Sequence, residues 1–248
     1  MIVLKKAHEL EAMRASGQLA GKVRDKVAAA VAPGVTTAEI ADYAGSLIEA
    51  EGATCAFFGY RGFPGKICIS VNEEVVHGIP GPRVISIGDV VSLDFGVLLD
   101  GFFGDTATTV LVGVTDPEVI RMVRVTQRSL DEGLERARKG GKLSDISHAI
   151  QTVVEEAGFS IVRDFVGHGI GRSLHEDPQV PNYGRAGRGP VLKKGMTLAI
   201  EPMVNLGRAA TSVLKDGWTV VTRDRKPSAH FEHTVAIGED GVEILTKG

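Results

Sequence analysis

The sequence lacks the features that would mark a disulfide scaffold, a membrane protein or a nucleic-acid binder. Only two of its 248 residues are cysteines, Cys55 and Cys68, so a disulfide framework and a zinc ribbon are excluded. No apolar run approaches the ~18 residues that a membrane span needs. The 28 basic and 31 acidic residues leave a net charge of −3, so no broad basic field favours nucleic acid or an anionic membrane.

Several common enzyme signatures are absent as well. The chain has no His-Glu-x-x-His of a zincin, no Gly-x-Ser-x-Gly of a hydrolase elbow and no P-loop, and neither cysteine has the neighbours of a catalytic nucleophile. Residues 1–6 run directly into charged residues without the apolar region of a signal peptide, so we expect a cytoplasmic protein.

What the chain does have is a resemblance between its two halves. Residues 34–52 align without a gap on residues 140–158, and each segment reads as a helix between glycines. Residues 88–94 align on residues 195–201, and each is a strand that ends on a carboxylate. We therefore expect one catalytic domain, residues 1–248, made of two pseudo-twofold halves at about 1–114 and 115–248 that pack face to face.

The spacing of apolar residues predicts an α+β protein. Helices are expected at about residues 8–31, from a capping box of Thr36 and Glu39 to about Ala50, and at about 117–139 and 144–157. Strands are expected at about 66–71, 89–96, 102–112, 160–166, 197–204, 218–222 and 230–237. Because helices alternate with hairpins, the sheet should be mostly antiparallel.

Two aspartates should meet across one hairpin. Asp100-Gly101 is typical of a two-residue turn, in whose register residue i pairs with residue 201 − i. Asp94 and Asp105 then share a face, with Cα atoms roughly 7 to 8 Å apart over an empty glycine site at Gly96. They are either solvated on an exposed face or bound to a cation.

Acidic residues at the matching places of the second half favour the cation. Glu201 corresponds to Asp94, and Glu232 corresponds more loosely to Asp105. Four such carboxylates would repel one another, whereas a pair of divalent ions between the halves would neutralise them. His168, between two glycines, is a fifth candidate ligand, although a lone histidine is more often structural. His77 and His175 lie in turns from which a side chain can reach a cleft.

These motifs resemble the type I methionine aminopeptidases, which share the pita-bread fold with aminopeptidase P, prolidase and creatinase. The resemblance extends from about Glu9 to Gly241 and implies an internally duplicated, curved, mostly antiparallel sheet with helices on its outer face. It rests on Val71-Asn72-Glu73, His77-Gly78-Ile79-Pro80, Leu93-Asp94, Gly104-Asp105-Thr106-Ala107, Gly167-His168-Gly169-Ile170-Gly171, Glu201-Pro202 and Phe231-Glu232-His233-Thr234. It implies two divalent ions, of cobalt, manganese, iron or zinc, held by Asp94, Asp105, His168, Glu201 and Glu232.

The resemblance also implies a reaction and its substrate. A hydroxide that bridges the metals would attack the first peptide bond, with Glu201 as proton acceptor, His77 near the leaving nitrogen and His175 donating to the carbonyl oxygen. The methionine pocket would consist of Tyr60, Phe63, Cys68, Leu174 and Trp218, for which plain core packing is the alternative. Asn72 and Ser228 resemble ligands of a monovalent cation.

The expected substrates are N-termini of peptides and nascent proteins with a small second residue. We expect a monomer in transient contact with the ribosome, with no specific nucleic acid and no membrane as partner. Two positions depart from the family pattern: His230 stands where many relatives have Gln, which affects the expected pH profile, and Leu174 replaces a bulkier residue, which affects pocket shape. The alternatives are a catalytically dead scaffold that binds proteins or RNA, and a prolidase or aminopeptidase P.

Overall fold

The structure is a computed structural model that describes residues 1–248. Its helices are α1 (Ala7–Ala30), α2 (Thr37–Ala50), α3 (Pro117–Arg136) and α4 (Leu143–Glu156). Its strands are β1 (Thr54–Cys55), β2 (Cys68–Val71), β3 (Glu74–Val76), β4 (Val90–Leu99), β5 (Phe102–Leu111), β6 (Ser160–Ile161), β7 (Gly167–Gly169), β8 (Glu176–Val180), β9 (Thr197–Ile200), β10 (Met203–Asn205), β11 (Thr211–Val213), β12 (Val220–Thr222), β13 (Ser228–His230), β14 (Glu232–Ile237) and β15 (Val242–Ile244).

The four helices form where apolar spacing and capping residues predict them. At the start of α2, the Glu39 amide donates to the Thr36 hydroxyl oxygen at 3.2 Å, and the Thr36 amide donates to the Glu39 carboxylate at 2.8 Å. This reciprocal capping box satisfies two amides that the first helical turn leaves free. The third helix ends at Arg136, a few residues before the predicted end at 139.

The β4–β5 hairpin has the predicted register. Asp94 pairs with Ala107 and Gly96 pairs with Asp105, so each pair of numbers adds to 201. Asp100 and Gly101 form the turn with φ of 50° and 77°. Both residues are in the left-handed region that a tight hairpin turn requires, and Asp and Gly tolerate it better than most residues.

The main sheet is curled and antiparallel, and both halves of the chain meet at its centre. Its strand order is β1-β4-β5-β14-β9-β7-β8, with β2 also paired to β4 and β15 to β14. The central β5–β14 pair brings Ala107 opposite Glu232. Two smaller three-stranded sheets, β13-β10-β6 and β11-β12-β3, flank it. The α+β class and the curved antiparallel sheet are as predicted.

Each helix pair covers its own part of one sheet face. Helices α1 and α2 share an apolar core with the β4 side chains Leu93 and Phe95, whereas α3 and α4 pack on side chains of β9 and β14. A Cβ placed on Gly104 of β5 would lie 2.9 Å from the Gly17 Cα of α1, so this helix lies unusually close to the sheet. Because strand side chains alternate, Asp94 and Gly96 face away from the helices.

Several predicted strands are shorter in the structure, and three of them are much shorter or broken. The strand expected at 197–204 stops at Ile200 and resumes at Met203, since Pro202 has no amide to give to the ladder. The strand expected at 230–237 is interrupted at Phe231, and the one expected at 160–166 contains only Ser160–Ile161. Strands β1, β3, β7, β8, β11 and β15 were not predicted, because they are short and lack clear alternation. No helix combines the length and apolar character needed to cross a bilayer.

Candidate metal centre

Five neighbouring strands of the main sheet each bring one candidate ligand to the same place. Asp94 is on β4, Asp105 on β5, Glu232 at the start of β14, Glu201 directly after β9 and His168 on β7. Their distance along the chain is large, but the strand order places them side by side. The curl of the sheet turns their side chains into one cleft.

The side-chain atoms are close enough to share cations. One ligand atom each from Asp105, His168 and Glu232 lie within 4.8 Å of one another. The His168 Nε2 is 3.5 Å from Glu201 Oε1 and 3.8 Å from Asp105 Oδ2. Asp94 contacts Asp105 through its carboxyl group. The four carboxyl groups and one imidazole therefore form a single cluster.

The cluster is short of positive charge. Asp94 Oδ1, Asp105 Oδ1 and Glu232 Oε1 are shielded from solvent and have no hydrogen-bond donor. Loss of solvent raises the pKa of Asp94 to about 7. Desolvation and the neighbouring carboxylates raise the pKa of Asp105, Glu201 and Glu232 well above their ordinary values. Buried carboxylates of this kind are costly unless they are protonated or bind a cation.

His168 is oriented as a metal ligand would be. Its Nδ1 lies 2.9 Å from the Gly169 carbonyl oxygen, which can only accept, so Nδ1 carries the proton. The unprotonated Nε2 then faces the carboxylates. A second hydrogen bond that fixes the tautomer is typical of metal-bound histidines. The oxygen-rich donor set with one imidazole therefore fits divalent cations.

Two further histidines border the cluster. His175 lies with its ring centroid 4.2 Å from that of His168, and its Nδ1 is 2.9 Å from the Tyr60 hydroxyl, whose ring stacks on it. Desolvation, followed by the charges of His168 and Arg61, lowers the pKa of His175 to about 3. His77 has a left-handed backbone with φ of 59° and meets the Phe165 ring edge-on at 5.6 Å.

An apolar pocket opens beside the carboxylates. The cavity, of about 120 Å³, is lined by every predicted metal, catalytic and pocket residue, and also by two that the sequence analysis did not select, Phe57 and Arg61. Phe63 and Trp218 meet edge to face at 5.2 Å in its wall. Cys68 and Leu174 are buried there, as plain core residues also would be.

The site at Gly96, between the two aspartates, was expected to be empty, but another side chain fills it. A Cβ on Gly96 would lie 2.5 Å from Cε1 of Phe57, so the Phe57 ring occupies that space. Phe57 is buried whereas its neighbour Phe58 is 65% exposed. Nothing in the run Ala56-Phe57-Phe58-Gly59 distinguishes the two rings, because the segment has no regular period.

The two predicted ligands of a monovalent cation are neighbours, and His230 lies beside Glu201. The Ser228 amide donates to the Asn72 carbonyl oxygen at 2.9 Å, and Asn72 Oδ1 accepts from the Val90 amide at 2.8 Å. His230 is buried with its Nε2 3.8 Å from Glu201 Oε2 and without a hydrogen-bond partner.

Comparison with known proteins identifies the class. The family model described as "Metallopeptidase family M24" matches residues 11–239 of the chain. The chain therefore belongs to this family. The family implies divalent metal ions, for which the cluster is the candidate site.

Within the family, the chain is similar to methionine aminopeptidases over its whole length. It is 50% identical to methionine aminopeptidase 1 of Bacillus subtilis over 247 residues, with all of both chains covered. It is 52% identical to a methionine aminopeptidase of Clostridium perfringens, with 99% of each covered. The crystal structure of a methionine aminopeptidase from Thermotoga maritima superposes with a TM-score of 0.98 at 46% identity, covering all of both chains. The fold is thus the pita-bread fold.

The likeness to prolidases is a likeness of fold. The prolidase from Pyrococcus furiosus superposes with a TM-score of 0.78 at 22% identity, and the match covers 99% of this chain but 66% of the prolidase.

Proposed function

We propose that this chain is a metal-dependent aminopeptidase that removes methionine from the N-termini of peptides and nascent proteins whose second residue is small. The observation that carries the proposal is the convergence of five ligand-type side chains beside one apolar pocket. Full-length similarity to methionine aminopeptidases supports the same reaction. The pocket has sulfur and aromatic groups in its wall, which suits a flexible thioether side chain.

The cluster would hold two divalent ions, which when bound polarise a carbonyl group and lower the pKa of a bound water. The ligands would be those that the sequence predicts: Asp94, Asp105, His168, Glu201 and Glu232. Their unpaired oxygens and the orientation of His168 support this assignment. Cobalt, manganese, iron and zinc all suit oxygen ligands with one imidazole, so the choice among them is left to experiment.

The remaining residues would move protons and orient the peptide. Glu201 would accept a proton, because its carboxyl group lies in the cleft among the residues that would hold the ions. If the Tyr60 hydroxyl donates to Nδ1 of a neutral His175, then Nε2 carries a proton and can donate to the substrate carbonyl oxygen. His77 would lie near the leaving nitrogen, held by Phe165 and Trp218.

The alternatives have less support. A catalytically dead scaffold is disfavoured because all five ligand types lie within one cleft and three carboxylate oxygens there have no hydrogen-bond donor. A prolidase or aminopeptidase P is disfavoured because the identity to a prolidase is 22%, against about half for the methionine aminopeptidases.

The test is peptide cleavage after the metal is removed and returned. We expect chelated protein to be inactive on Met-Ala-Ser, and activity to return with at least one of Mn²⁺, Fe²⁺, Co²⁺ or Zn²⁺. Met-Lys-Ser should resist cleavage under the same conditions. Full activity in excess chelator would contradict the metal requirement, and equal cleavage of both peptides would contradict the preference for a small second residue.

Four further expectations stay predictions. These are a monovalent cation near Asn72 and Ser228, a monomeric state, a transient ribosome contact, and a cytoplasmic location where nascent chains emerge. The adjoining backbones of Asn72 and Ser228 support the first of them.

A further inference from the structure

Arg61 occupies an unusual backbone position at the mouth of the cleft. It is in a tight turn between Gly59 and Gly62, closed by a hydrogen bond from the Gly62 amide to the Gly59 carbonyl oxygen at 3.1 Å. Its own φ of 50° is in the left-handed region, where a long side chain is uncommon and unfavourable. An unfavourable backbone conformation at a functional cleft indicates that the residue contributes to function.

The Arg61 side chain is cationic and has no acidic partner. Its guanidinium lies 5.4 Å from the centre of the Tyr60 ring and makes neither a hydrogen bond nor an ion pair. Arg14 and Arg121 bind carboxylates at 2.6 to 2.7 Å, although not every surface arginine does so. Among the residues that line the cleft, Arg61 is the only lysine or arginine.

The position of Arg61 fits the part of a substrate that leaves the cleft. In the proposed function, the first side chain fills the pocket of Phe57, Phe63 and Trp218, and the first peptide bond lies at the carboxylates. Of the lining residues, only Arg61 and His175 are exposed, so they border the opening. The chain beyond the cleaved bond must pass this opening to reach solvent.

We propose that Arg61 is a specificity-determining residue, whose guanidinium contacts the substrate beyond its second residue and favours acidic over basic side chains there. This inference rests on the proposed function and adds a charge preference to it. The contribution of Arg61 adds to any charge preference that the other residues of the cleft impose. A guanidinium without a partner can accept a substrate carboxylate at little cost, and it repels lysine at the same distance.

The test measures kcat/KM for Met-Ala-Asp-Gly and Met-Ala-Lys-Gly with the metal-loaded full chain. The quantity of interest is the ratio of the two values. We expect Arg61→Gln to lower the Asp-to-Lys ratio by about two- to fivefold, and Arg61→Glu to lower it further, as for an exposed ion pair. Arg61→Lys should retain most of the wild-type ratio. All differences should shrink at high salt, where exposed charges are screened.

Arg163→Glu is the matched control. Arg163 also lies over a tyrosine ring, that of Tyr183 at 4.8 Å, but it does not line the cleft. Arg163→Glu changes the net charge by the same amount as Arg61→Glu, and it should leave the Asp-to-Lys ratio unchanged. The inference is overturned if the ratio is the same in the wild type, in Arg61→Gln and in Arg61→Glu, or if Arg163→Glu changes it as much as Arg61→Glu does.

Failure of the inference is distinguishable from failure of the proposed function. If the wild type cleaves Met-Ala-Ser in a metal-dependent way but Arg61 variants show no change in ratio, only the inference is wrong. If no methionine peptide is cleaved with any of the four ions, the proposed function is wrong and the inference falls with it.

Discussion

The negative charges of Asp94 and Asp105 are unfavourable in this cleft when no cation is bound. Both are on the sheet face opposite the helices, and each has an oxygen that is shielded from water and receives no hydrogen bond. Their contact raises the pKa of Asp105 further, beyond the effect of burial. A divalent cation would relieve both problems, because it neutralises the charge and coordinates the free oxygens.

Removing one of these carboxylates should abolish activity without unfolding the protein. We expect Asp94→Asn to lower kcat/KM on Met-Ala-Ser by more than about a hundredfold, while Tm in chelator stays equal or rises, because one buried negative charge is lost. Calorimetry and peptide cleavage measure the two effects. Asp100→Asn is the control, since Asp100 is in the turn of the same hairpin and Asn tolerates its left-handed φ of 50°. Near-wild-type turnover of Asp94→Asn would refute its assignment as a ligand.

The carboxylates also predict how the metal-free protein responds to pH. Their folded-state pKa values are raised, Asp94 to about 7, so the folded state holds protons that the unfolded state has released. The free energy of unfolding then falls as pH rises towards and through the folded-state values. Histidines whose pKa is lowered, such as His175 and His230, act in the opposite direction, but only below their unfolded value of ~6.5.

Above pH 7 the carboxylates should therefore dominate the pH dependence. We expect Tm in chelator to fall between pH 7 and pH 9, and Tm with saturating Mn²⁺ to fall less over the same range. Scanning fluorimetry on matched samples measures the difference, in which contributions from the rest of the protein cancel. A metal-free Tm that rises over this range, or a metal effect that shrinks with pH, would be inconsistent with a cluster of protonated carboxyls.

At the scale of elements, the hairpin was predictable and the loops were not. The period of the β4–β5 strands and the Asp100-Gly101 turn fix the register, so the facing of Asp94 and Asp105 follows from local chemistry. The segment of residues 56–63 has no period, and its placement depends on packing against distant parts of the chain. For that reason Phe57 and Arg61 were missed, although both line the cleft.

The Phe57–Gly96 contact gives a test of how this loop shapes the pocket. In Gly96→Ala the new Cβ would be 2.5 Å from the Phe57 ring, so the ring must move into the pocket. We expect KM for Met-Ala-Ser to rise about tenfold or more, with metal binding by calorimetry little changed, because overpacking acts on the pocket and not on the ligands. Gly81→Ala is the control, since a Cβ there would meet nothing within 4 Å. An unchanged KM in Gly96→Ala would show that Phe57 does not shape the pocket.

A buried ion pair holds the loop that carries His175. Lys5 Nζ lies 2.5 Å from Glu176 Oε2, and the two side chains are 3% and 13% exposed. Glu176 also accepts from the Ser173 amide at 3.2 Å, which closes the turn around His175. Gly171 is required beneath the pair, because its Cβ would lie 2.4 Å from Lys5 Cε.

Breaking this pair should cost far more than breaking an exposed one. We expect Lys5→Met to lower the free energy of unfolding by about 3 kcal/mol, since it leaves the Glu176 carboxylate without its partner. The double variant Lys5→Met/Glu176→Gln should recover part of the loss. Arg172→Met, which breaks the Arg172–Glu9 pair at 3.3 Å, should cost less than about 1 kcal/mol, because the Arg172 side chain is 62% exposed whereas Lys5 is buried. Urea unfolding measures all three, and equal losses for Lys5→Met and Arg172→Met would contradict the argument.

At the scale of the whole molecule, the cleft exists only where the two halves meet. Asp94 and Asp105 come from the first half, and His168, Glu201 and Glu232 come from the second. The two sides of the central β5–β14 pair correspond to each other. On one side β5 is followed by β4, and on the other side β14 is followed by β9. This order supports the division at about 1–114 and 115–248, which stays a prediction.

The sequence could predict this convergence because its halves resemble one another and because its motifs resemble those of a known family. Matching Glu201 to Asp94 pairs equivalent strands, and the strand order then brings all four carboxylates together. The break at Glu201-Pro202 was not predicted, because alternation continues through it and only the missing proline amide ends the ladder. Details that depend on long-range packing therefore needed the structure.

The central claim is that side chains from both halves jointly hold a pair of divalent ions, and anomalous diffraction tests it most directly. Crystals grown with Mn²⁺ and measured on both sides of the manganese absorption edge should show two strong anomalous peaks among the five predicted ligands, roughly 3.5 to 4 Å apart. No anomalous peak in the cleft, or manganese bound only at exposed carboxylates elsewhere, would contradict the account.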